Sequence, residues 1–74
     1  MKSKTNRKQI IFGQTIRELR QKRGMTQAKL AKMAHIHPSY VADVERGERN
    51  LSLVNILKLA PALRVHPSKL FVKF

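Results

Sequence analysis

The sequence contains no cysteine and no tryptophan, and only four of its 74 residues are acidic. Since there is no cysteine, the chain can form neither a disulfide nor a thiolate metal site. No uninterrupted apolar run approaches the roughly 20 residues of a membrane-spanning helix. The basic start is followed by only three apolar residues before Gly13, too few for the apolar region of a signal peptide. We therefore expect a cytoplasmic protein that does not enter a membrane.

Signs of catalysis are also missing. The sequence shows no carboxylate pair, no Gly-rich phosphate loop and no nucleophile beside a base. A zinc site needs three or four ligands, and His35, His37 and His66 are the only histidines in a chain without cysteine. A single domain of this length removes only about 60–65% of its unfolded surface from water, which leaves little room for a catalytic cleft. We expect no enzyme, no metal and no cofactor.

Positive charge is abundant. Sixteen Lys and Arg give a formal net charge of +12, which favours a polyanionic partner. A membrane surface fits less well than nucleic acid, because interfacial helices usually carry Trp, Phe or Leu opposite their basic face. The alternative is a solvent-exposed surface that is basic without function, although such surfaces usually mix charges of both signs.

The sequence pattern of residues 26–47 predicts two short helices joined by a tight turn. Thr26 is a good N-cap for a helix that begins at Gln27, and Pro38 suits the first position of a second helix. Apolar residues recur at helical spacing: Ala28, Leu30, Ala31 and Ala34 in the first helix, Val41 and Val44 in the second. So short a connection favours crossed helices, the helix-turn-helix geometry that places the second helix in a major groove. The alternative is an ordinary helical hairpin in a small bundle.

Three further helices complete the predicted organisation. Residues 1–7 are expected to be a flexible basic end, and residues 8–74 a single domain. A first helix should run from about residue 8 to 23, and a fourth should follow the N-cap Ser52 and kink or end at Pro61. The fourth helix carries Leu53, Ile56, Leu57 and Ala60 at helical spacing. A last short helix should begin at Pro67, where His-Pro-Ser repeats the start at residues 37–39.

Four motifs together resemble the helix-turn-helix repressors related to phage Cro and lambda repressor, also called the xenobiotic-response-element family. These motifs are Ile16-Arg17-x-Leu19-Arg20, Thr26-Gln27-x-x-Leu30-Ala31, Tyr40-Val41-x-x-Val44-Glu45-Arg46-Gly47, and Ser52-Leu53 leading into Leu57-x-Leu59-Ala60. The run 40–52 also resembles the small controller proteins of restriction-modification systems. The resemblance covers about residues 12–71 and implies an all-α, compact five-helix bundle whose recognition helix begins near Pro38.

The resemblance also implies which residues contact DNA. Gln27 matches the position that anchors the first motif helix on a phosphate, where the helix N-terminus already favours an anion; alternatively it is only an exposed helix former. The family's DNA-contacting positions at the start of the recognition helix match His37, Pro38, Ser39 and Tyr40, with Asp43 one turn further along. Those in the loop beyond the helix match Arg46, Arg49 and Asn50.

Several of these residues depart from the family pattern at the start of the recognition helix. His37 stands where Ser or Thr is usual, and Pro38 where polar base-contacting residues are common. Pro38 can contact a thymine methyl group, but organising the start of the helix is the favoured interpretation. Ser39 can bond a base or a phosphate. Tyr40 can bond a phosphate or fill space against the domain.

Charged residues further along allow two interpretations each. Asp43 would be repelled by phosphates unless it accepts from cytosine N4 or pairs with Arg46 one helical turn away, and we favour the pair. Arg49 is the best candidate for a bidentate contact with guanine, although neutralising a phosphate is nearly as good an explanation.

Two structural roles follow from the same resemblance. Arg20 and Glu45 match a family ion pair that ties the first helix to the end of the recognition helix; alternatively they are independent surface charges. His35 falls in the turn of the motif, where the family often has glycine, and we expect it to adopt the left-handed conformation that His tolerates better than most residues.

We expect a homodimer, because one domain this small contacts few base edges and would bind weakly alone. The C-terminal third is unusually apolar and offers candidates for the contact between copies: Leu63, Val65, Leu70, Phe71, Val72 and Phe74. The alternative is that these side chains complete the core.

The sequence thus predicts a sequence-specific transcriptional regulator that binds a palindromic operator in double-stranded DNA as a homodimer, and the resemblance of residues 40–52 adds the expectation that it controls a restriction-modification operon. One alternative is an antitoxin-type autoregulator of the same fold with a toxin protein as partner. A second is a nonspecific basic nucleic-acid-binding protein, whose affinity would depend on salt but not on sequence.

Overall fold

The computed structural model describes residues 6–74, which are helical throughout with short connections. Four α-helices, α1 (Arg7–Lys22), α2 (Gln27–Ala34), α3 (Pro38–Glu45) and α4 (Leu53–Ala62), are followed by a 3-10 turn, Pro67–Phe71. The all-α prediction is confirmed, but the expected fifth helix is only this 3-10 turn. None of the described helices is long and apolar enough to cross a membrane.

Each element begins at a side-chain cap. Asn6, Thr26 and Ser52 accept hydrogen bonds from the backbone N–H three residues later, at 2.9, 3.0 and 3.2 Å. His37 and His66 cap through Nδ1, which accepts from a backbone N–H two residues on at 3.1 Å. Local sequence therefore determines where the elements start. The cap at Asn6 starts α1 within the segment expected to be flexible, whose residues 1–5 lie outside the described part of the chain.

The core lies where all the elements meet. Its largest fully buried side chains are Ile16, Leu30, Val41, Val44, Leu59, Leu63 and Leu70. Ala31 and Ala34 are buried as expected, but Ala28 is exposed, so its predicted place in the apolar stripe is wrong. Pro61 lies in the last turn of α4, which ends one residue later at Ala62.

Packing between the first and third helices is very close at Gly13. A Cβ atom at this position would lie 2.2 Å from the carbonyl oxygen of Val44 and 3.0 Å from that of Glu45. Only glycine at this position allows the backbones of α1 and α3 to come so close together. The end of α1 is held separately, because Arg23 Nε donates to the carbonyl of Leu63 at 2.9 Å and so reaches the end of α4.

The structure corrects the predicted surface between copies. Leu63 and Leu70 are completely buried within the monomer, so they complete the core and cannot meet a partner. Val65 is half-buried against the same core. The other three candidates remain exposed, Phe71 by 42%, Val72 by 63% and Phe74 by 59%.

Candidate DNA-binding surface

The turn between α2 and α3 adopts the geometry that a helix-turn-helix requires. His35 has φ 59° and ψ 44°, the left-handed conformation expected of it. The next residue, Ile36, turns back and donates its N–H to the carbonyl of Ala31 at 3.0 Å. These contacts end α2 and let α3 begin at Pro38 after only three residues.

A charged network fixes the end of α3 to the two preceding helices. Arg20 Nε donates to Glu45 Oε2 at 2.6 Å, and Nη2 donates to Oε1 at 3.0 Å, forming a bidentate pair. The Arg20 side chain is 12% exposed and that of Glu45 is 4% exposed. Nη1 of Arg20 also donates to the carbonyl of Met25 at 2.7 Å. Charge and hydrogen bonding are thus satisfied together, as a nearly dry ion pair requires.

Gln27 joins the same network. Its Nε2 donates to Glu45 Oε1 at 3.0 Å, a contact that the sequence prediction did not include. The half-buried side chain of Gln27, the first residue of α2, is therefore tied to the end of α3. The hydrogen bond shows that Gln27 bridges two helices and is not merely a solvent-exposed helix former, whereas a phosphate contact by Gln27 stays a prediction.

The first turn of α3 presents a compact polar surface. His37, Pro38 and Ser39 are all exposed. The Ser39 hydroxyl lies 2.8 Å from Nδ1 of His37, the same nitrogen that caps the helix. With Nδ1 accepting, the proton of the neutral imidazole is on Nε2, which is left as a donor. Pro38 occupies the first helical position, where its fixed φ helps to organise the turn.

Tyr40 fills space between α3, the following loop and α4. Its hydroxyl accepts a hydrogen bond from Asn55 Nδ2 at 3.0 Å. The guanidinium carbon of Arg49 lies 4.9 Å from the centre of the ring, within cation–π range. Packing against the domain is therefore observed, and a phosphate contact by Tyr40 stays a prediction. Asn55 was missed by sequence reasoning, although an uncharged polar residue in a helix whose only other polar residue is Lys58 is a usable signal.

Asp43 is surrounded by arginines. It pairs with Arg46 through Oδ1 and accepts from Arg49 Nε through Oδ2 at 3.3 Å. Arg46 also donates to Glu48 Oε1 at 3.2 Å. The favoured local pair of Asp43 with Arg46 is present, and Arg49 is an additional partner. Because Arg46 and Arg49 are about half exposed, with side-chain accessibilities of 55% and 49%, each pair adds little stability and acts mainly to position the guanidinium groups.

The loop after α3 is held close to α1. Gly47 has φ 78°, and a Cβ atom there would lie 2.8 Å from Cα of Ile10. Glycine is needed both for the backbone conformation and for the contact. Arg49 and Asn50 follow on the exposed side of the loop, next to the start of α4. The chain therefore brings exposed polar and basic groups from α2, α3 and this loop onto a rigid helix pair.

Comparison with known families identifies this arrangement. The family model described as Helix-turn-helix matches residues 16–70. The chain belongs to this helix-turn-helix family. The match begins in α1 and ends in the C-terminal 3-10 turn, so it includes the Arg20–Glu45 pair, the two motif helices and the loop bearing Arg49.

Within the helix-turn-helix family the chain is similar to restriction-modification controller proteins. It is 46% identical over 67 residues to control protein C.BamHI of Bacillus amyloliquefaciens, covering 89% of this chain and 83% of the relative. The crystal structure of controller protein C.AhdI from Aeromonas hydrophila shares 52% identity, covers 89% of this chain and all of the other, and superposes with a TM-score of 0.88. The controller C.Esp1396I, solved as a tetramer on its natural 35-base-pair operator, is 26% identical over 89% of this chain and 87% of the other, with a TM-score of 0.83.

Proposed function

We propose that this protein is a sequence-specific DNA-binding transcriptional regulator that acts as a homodimer on a palindromic operator and controls a restriction-modification operon. The observation that carries the proposal is the exposed set of donors on α3 and the loop beyond it. They project from a helix pair that the Arg20–Glu45–Gln27 network fixes. Similarity to C.BamHI and C.AhdI over most of the chain supports the restriction-modification role.

Each part of the surface has a distinct role in this proposal. Gln27 and the N-terminus of α2 bind a phosphate and set the register of the domain on the duplex. Ser39 lies on the first turn of α3 and contacts base edges in the major groove. Arg49 grips guanine O6 and N7 when it leaves the face of Tyr40, and Arg46 and Asn50 contact the adjoining backbone and bases. Two copies read two half-sites about 34 Å apart, or a multiple of that distance.

Selection of bound sites from random double-stranded DNA tests this function. We expect the wild-type chain to select a palindromic consensus, and Ser39→Ala and Arg49→Ala to relax it at different positions. Loss of a bidentate arginine contact should cost about 1–3 kcal/mol at the guanine concerned. Lys69→Ala is the matched control, because it removes an exposed positive charge from the C-terminal 3-10 turn.

The absence of any consensus would overturn the proposal. Equal affinity for unrelated sequences, with a steep dependence on salt, would instead identify a nonspecific nucleic-acid-binding protein.

A further inference from the structure

A small groove lies between α2, the end of α1 and the end of α4. It has a volume of about 240 Å³ and is lined by Arg23, Met25, Lys29, Met33, Ala62 and Arg64. We call it the α2–α4 groove. Three of its lining residues are apolar, and the other three are all positively charged. The groove therefore suits a ligand that carries both apolar and anionic groups.

The backbone at Arg64 is in a conformation that favours glycine. Arg64 follows the C-cap of α4 and has φ 60°. Its N–H donates to the carbonyl of Pro61 at 3.0 Å. The N–H of Val65 donates to the carbonyl of Ala60 at the same distance, which completes a Schellman motif. Glycine usually occupies this position, because an L side chain in the left-handed conformation costs stability.

The side chain of Arg64 gives no structural return for that cost. It is exposed, and it takes part in none of the ion pairs within residues 6–74. An unfavourable backbone conformation that the packing does not require is a sign of function. We therefore looked for the ligand that a guanidinium group at this place would bind.

Arg23 fixes the turn that carries Arg64. Its Nε donates to the carbonyl of Leu63 at 2.9 Å, and its Nη2 donates to the carbonyl of Arg64 at 3.1 Å. These two bonds tie the end of α4 to the end of α1. The positive groups of the groove thus project from a backbone that is already organised, which lowers the conformational cost of binding.

The carboxylates of this chain are not available to fill the groove. All four acidic residues of the sequence form ion pairs with arginine or lysine outside it: Glu18, Asp43, Glu45 and Glu48. A second copy would bring the same paired carboxylates and a net charge of +12, so it is repelled. The groove therefore fits an acidic molecule of a different kind.

The position of the groove on α2 argues against DNA as this ligand. Lys29 and Met33 lie about 200° and 240° around the helix from Gln27. The Gln27 side chain is bonded to the end of α3, so the groove lies on the other side of α2 from the proposed recognition helix. A phosphate also gains nothing from contact with methionine side chains.

A protein segment suits the groove better than a small molecule does. Sites for small molecules usually have volumes of about 300–1,000 Å³ and enclose most of the ligand. Methionine side chains are flexible and polarizable, and they are common on surfaces that accept varied peptides. An amphipathic helix with carboxylates beside its apolar side chains supplies both kinds of group that the groove requires.

We propose that the α2–α4 groove binds an acidic amphipathic helix of a partner protein. An apolar side chain of the partner packs on Met25 and Met33, and its carboxylates pair with Lys29 and Arg64. The groove is separate from the surface proposed to meet DNA, so the partner and the operator can be bound at the same time. This inference goes beyond the operator function and does not depend on it.

NMR signals of methionine methyl groups locate the binding directly, because two of the three methionines in the chain line the groove. The probe is a synthetic helical peptide with leucine at i, i+3, i+4 and i+7 and glutamate beside the leucines. The matched control has glutamine in place of every glutamate. We expect the acidic peptide to shift the signals of Met25 and Met33, which Met25→Leu and Met33→Leu assign. The glutamine peptide should bind about tenfold more weakly, the loss expected for two or three exposed ion pairs.

Arg64→Gly separates binding from folding. Relief of the left-handed conformation should raise the melting temperature by about 4–8 °C. Affinity for the acidic peptide should nevertheless fall by about fivefold, and Arg64→Lys should retain most of it. Lys8→Gln is the matched control, because it removes an exposed charge at the other end of α1, about 22 Å from Arg23.

Four results would overturn the inference. They are equal affinity for the two peptides, unchanged affinity of Arg64→Gly, an equal loss with Lys8→Gln, and no shift of the Met25 and Met33 signals with either peptide. A short unrelated DNA duplex that shifts these two signals more than the acidic peptide does would also overturn it, because the groove would then be a phosphate-binding surface.

Discussion

At the scale of single residues, the least expected feature is a carboxylate on the surface proposed to meet DNA. Asp43 lies between Arg46 and Arg49 and contacts both. Arg49 is held at the same time over the Tyr40 ring. The carboxylate therefore restricts two flexible cations before any ligand arrives, which lowers the conformational cost of placing them against DNA.

Replacing Asp43 with asparagine separates charge from positioning. Asp43→Asn removes a negative charge that opposes phosphates and also weakens the hold on Arg49. We expect affinity for nonspecific DNA to rise by about fivefold, roughly 1 kcal/mol, because the two guanidinium groups become freer to meet phosphates. The ratio of specific to nonspecific affinity should fall. Titration of the selected operator and an unrelated duplex by fluorescence anisotropy measures both values.

Glu48→Gln is the control for this prediction, because Glu48 contacts Arg46 but makes no observed bond to Arg49. It removes the same charge and should change the ratio less than Asp43→Asn does. If Asp43→Asn instead weakened binding only at sites with one particular cytosine, Asp43 would be contacting that base directly. An unchanged ratio would contradict the positioning role.

At the scale of secondary-structure elements, α3 is fixed to α1 by two contacts of different kinds. The Arg20–Glu45 pair is directional and nearly dry, and Gly13 allows close contact of the two backbones. Breaking one half of such an ion pair leaves a charge poorly solvated, which costs about 3–5 kcal/mol when the site is fully buried. Together these contacts hold the proposed recognition helix at a defined distance and angle from the rest of the domain.

Gly13→Ala tests the close contact between α1 and α3. The substitution should gain about 1 kcal/mol of helix propensity, but the new Cβ meets backbone atoms that cannot rotate away. Overpacking of this kind costs about 1–3 kcal/mol or more. With the Val44 oxygen only 2.2 Å from the added atom, we expect the clash to dominate and the free energy of unfolding to fall by about 2 kcal/mol. Urea denaturation followed by circular dichroism measures the change.

Gln14→Ala controls for the change in helix propensity, because Gln14 is the exposed neighbour of Gly13 on the same helix. It should alter stability by no more than about 0.5 kcal/mol. A Gly13→Ala variant that is as stable as wild type or more so would show that α1 and α3 can separate at little cost.

At the scale of the whole molecule, the net charge of +12 acts in opposite directions on the two proposed associations. Attraction to DNA is strengthened by the positive charge, whereas contact between two copies is opposed by it. Salt screens both effects. Dimer formation should therefore respond to salt with the opposite sign from DNA binding.

Salt titration from about 50 to 200 mM NaCl checks this difference. DNA affinity should fall by about 10³–10⁵ if the dimer contacts 6–10 phosphates. Over the same range the dissociation constant of the dimer, measured by sedimentation equilibrium without DNA, should decrease. A dimer that dissociates as salt rises would indicate that ion pairs hold the two copies together.

Several features could be predicted from sequence because they depend on neighbouring residues. The starts of α2 and α4 follow from the caps Thr26 and Ser52, the start of α3 follows from Pro38 at its first position, and His35 adopts the left-handed conformation expected from its place in the turn. Membership of the helix-turn-helix family followed from motif spacing and is confirmed by the match over residues 16–70. The bidentate contact of Arg20 with Glu45 is consistent with the role that the resemblance implied.

Predictions from the sequence were weakest where a side chain could face in more than one direction. Apolar character placed Leu63 and Leu70 at a dimer surface, although both fill the core, and helical spacing grouped Leu53 and Leu57 with Ile56 and Ala60, although Leu53 and Leu57 are exposed. Periodicity indicates that a helix has an apolar side, but the neighbouring elements determine how much of that side is covered.

The amino-acid sequence alone determined the local folding of this protein, its basic charge and its family, because caps, turns and motif spacing act between residues close in the chain. Only the tertiary structure decided three features. The backbones of α1 and α3 approach closely at Gly13, Asp43 contacts two arginines, and α4 leaves Leu53, Val54 and Leu57 exposed. The Gly13 contact and the exposed side of α4 depend on how segments distant in the chain pack together, and the second arginine on Asp43 depends on the path of the loop after α3, which no local pattern specifies.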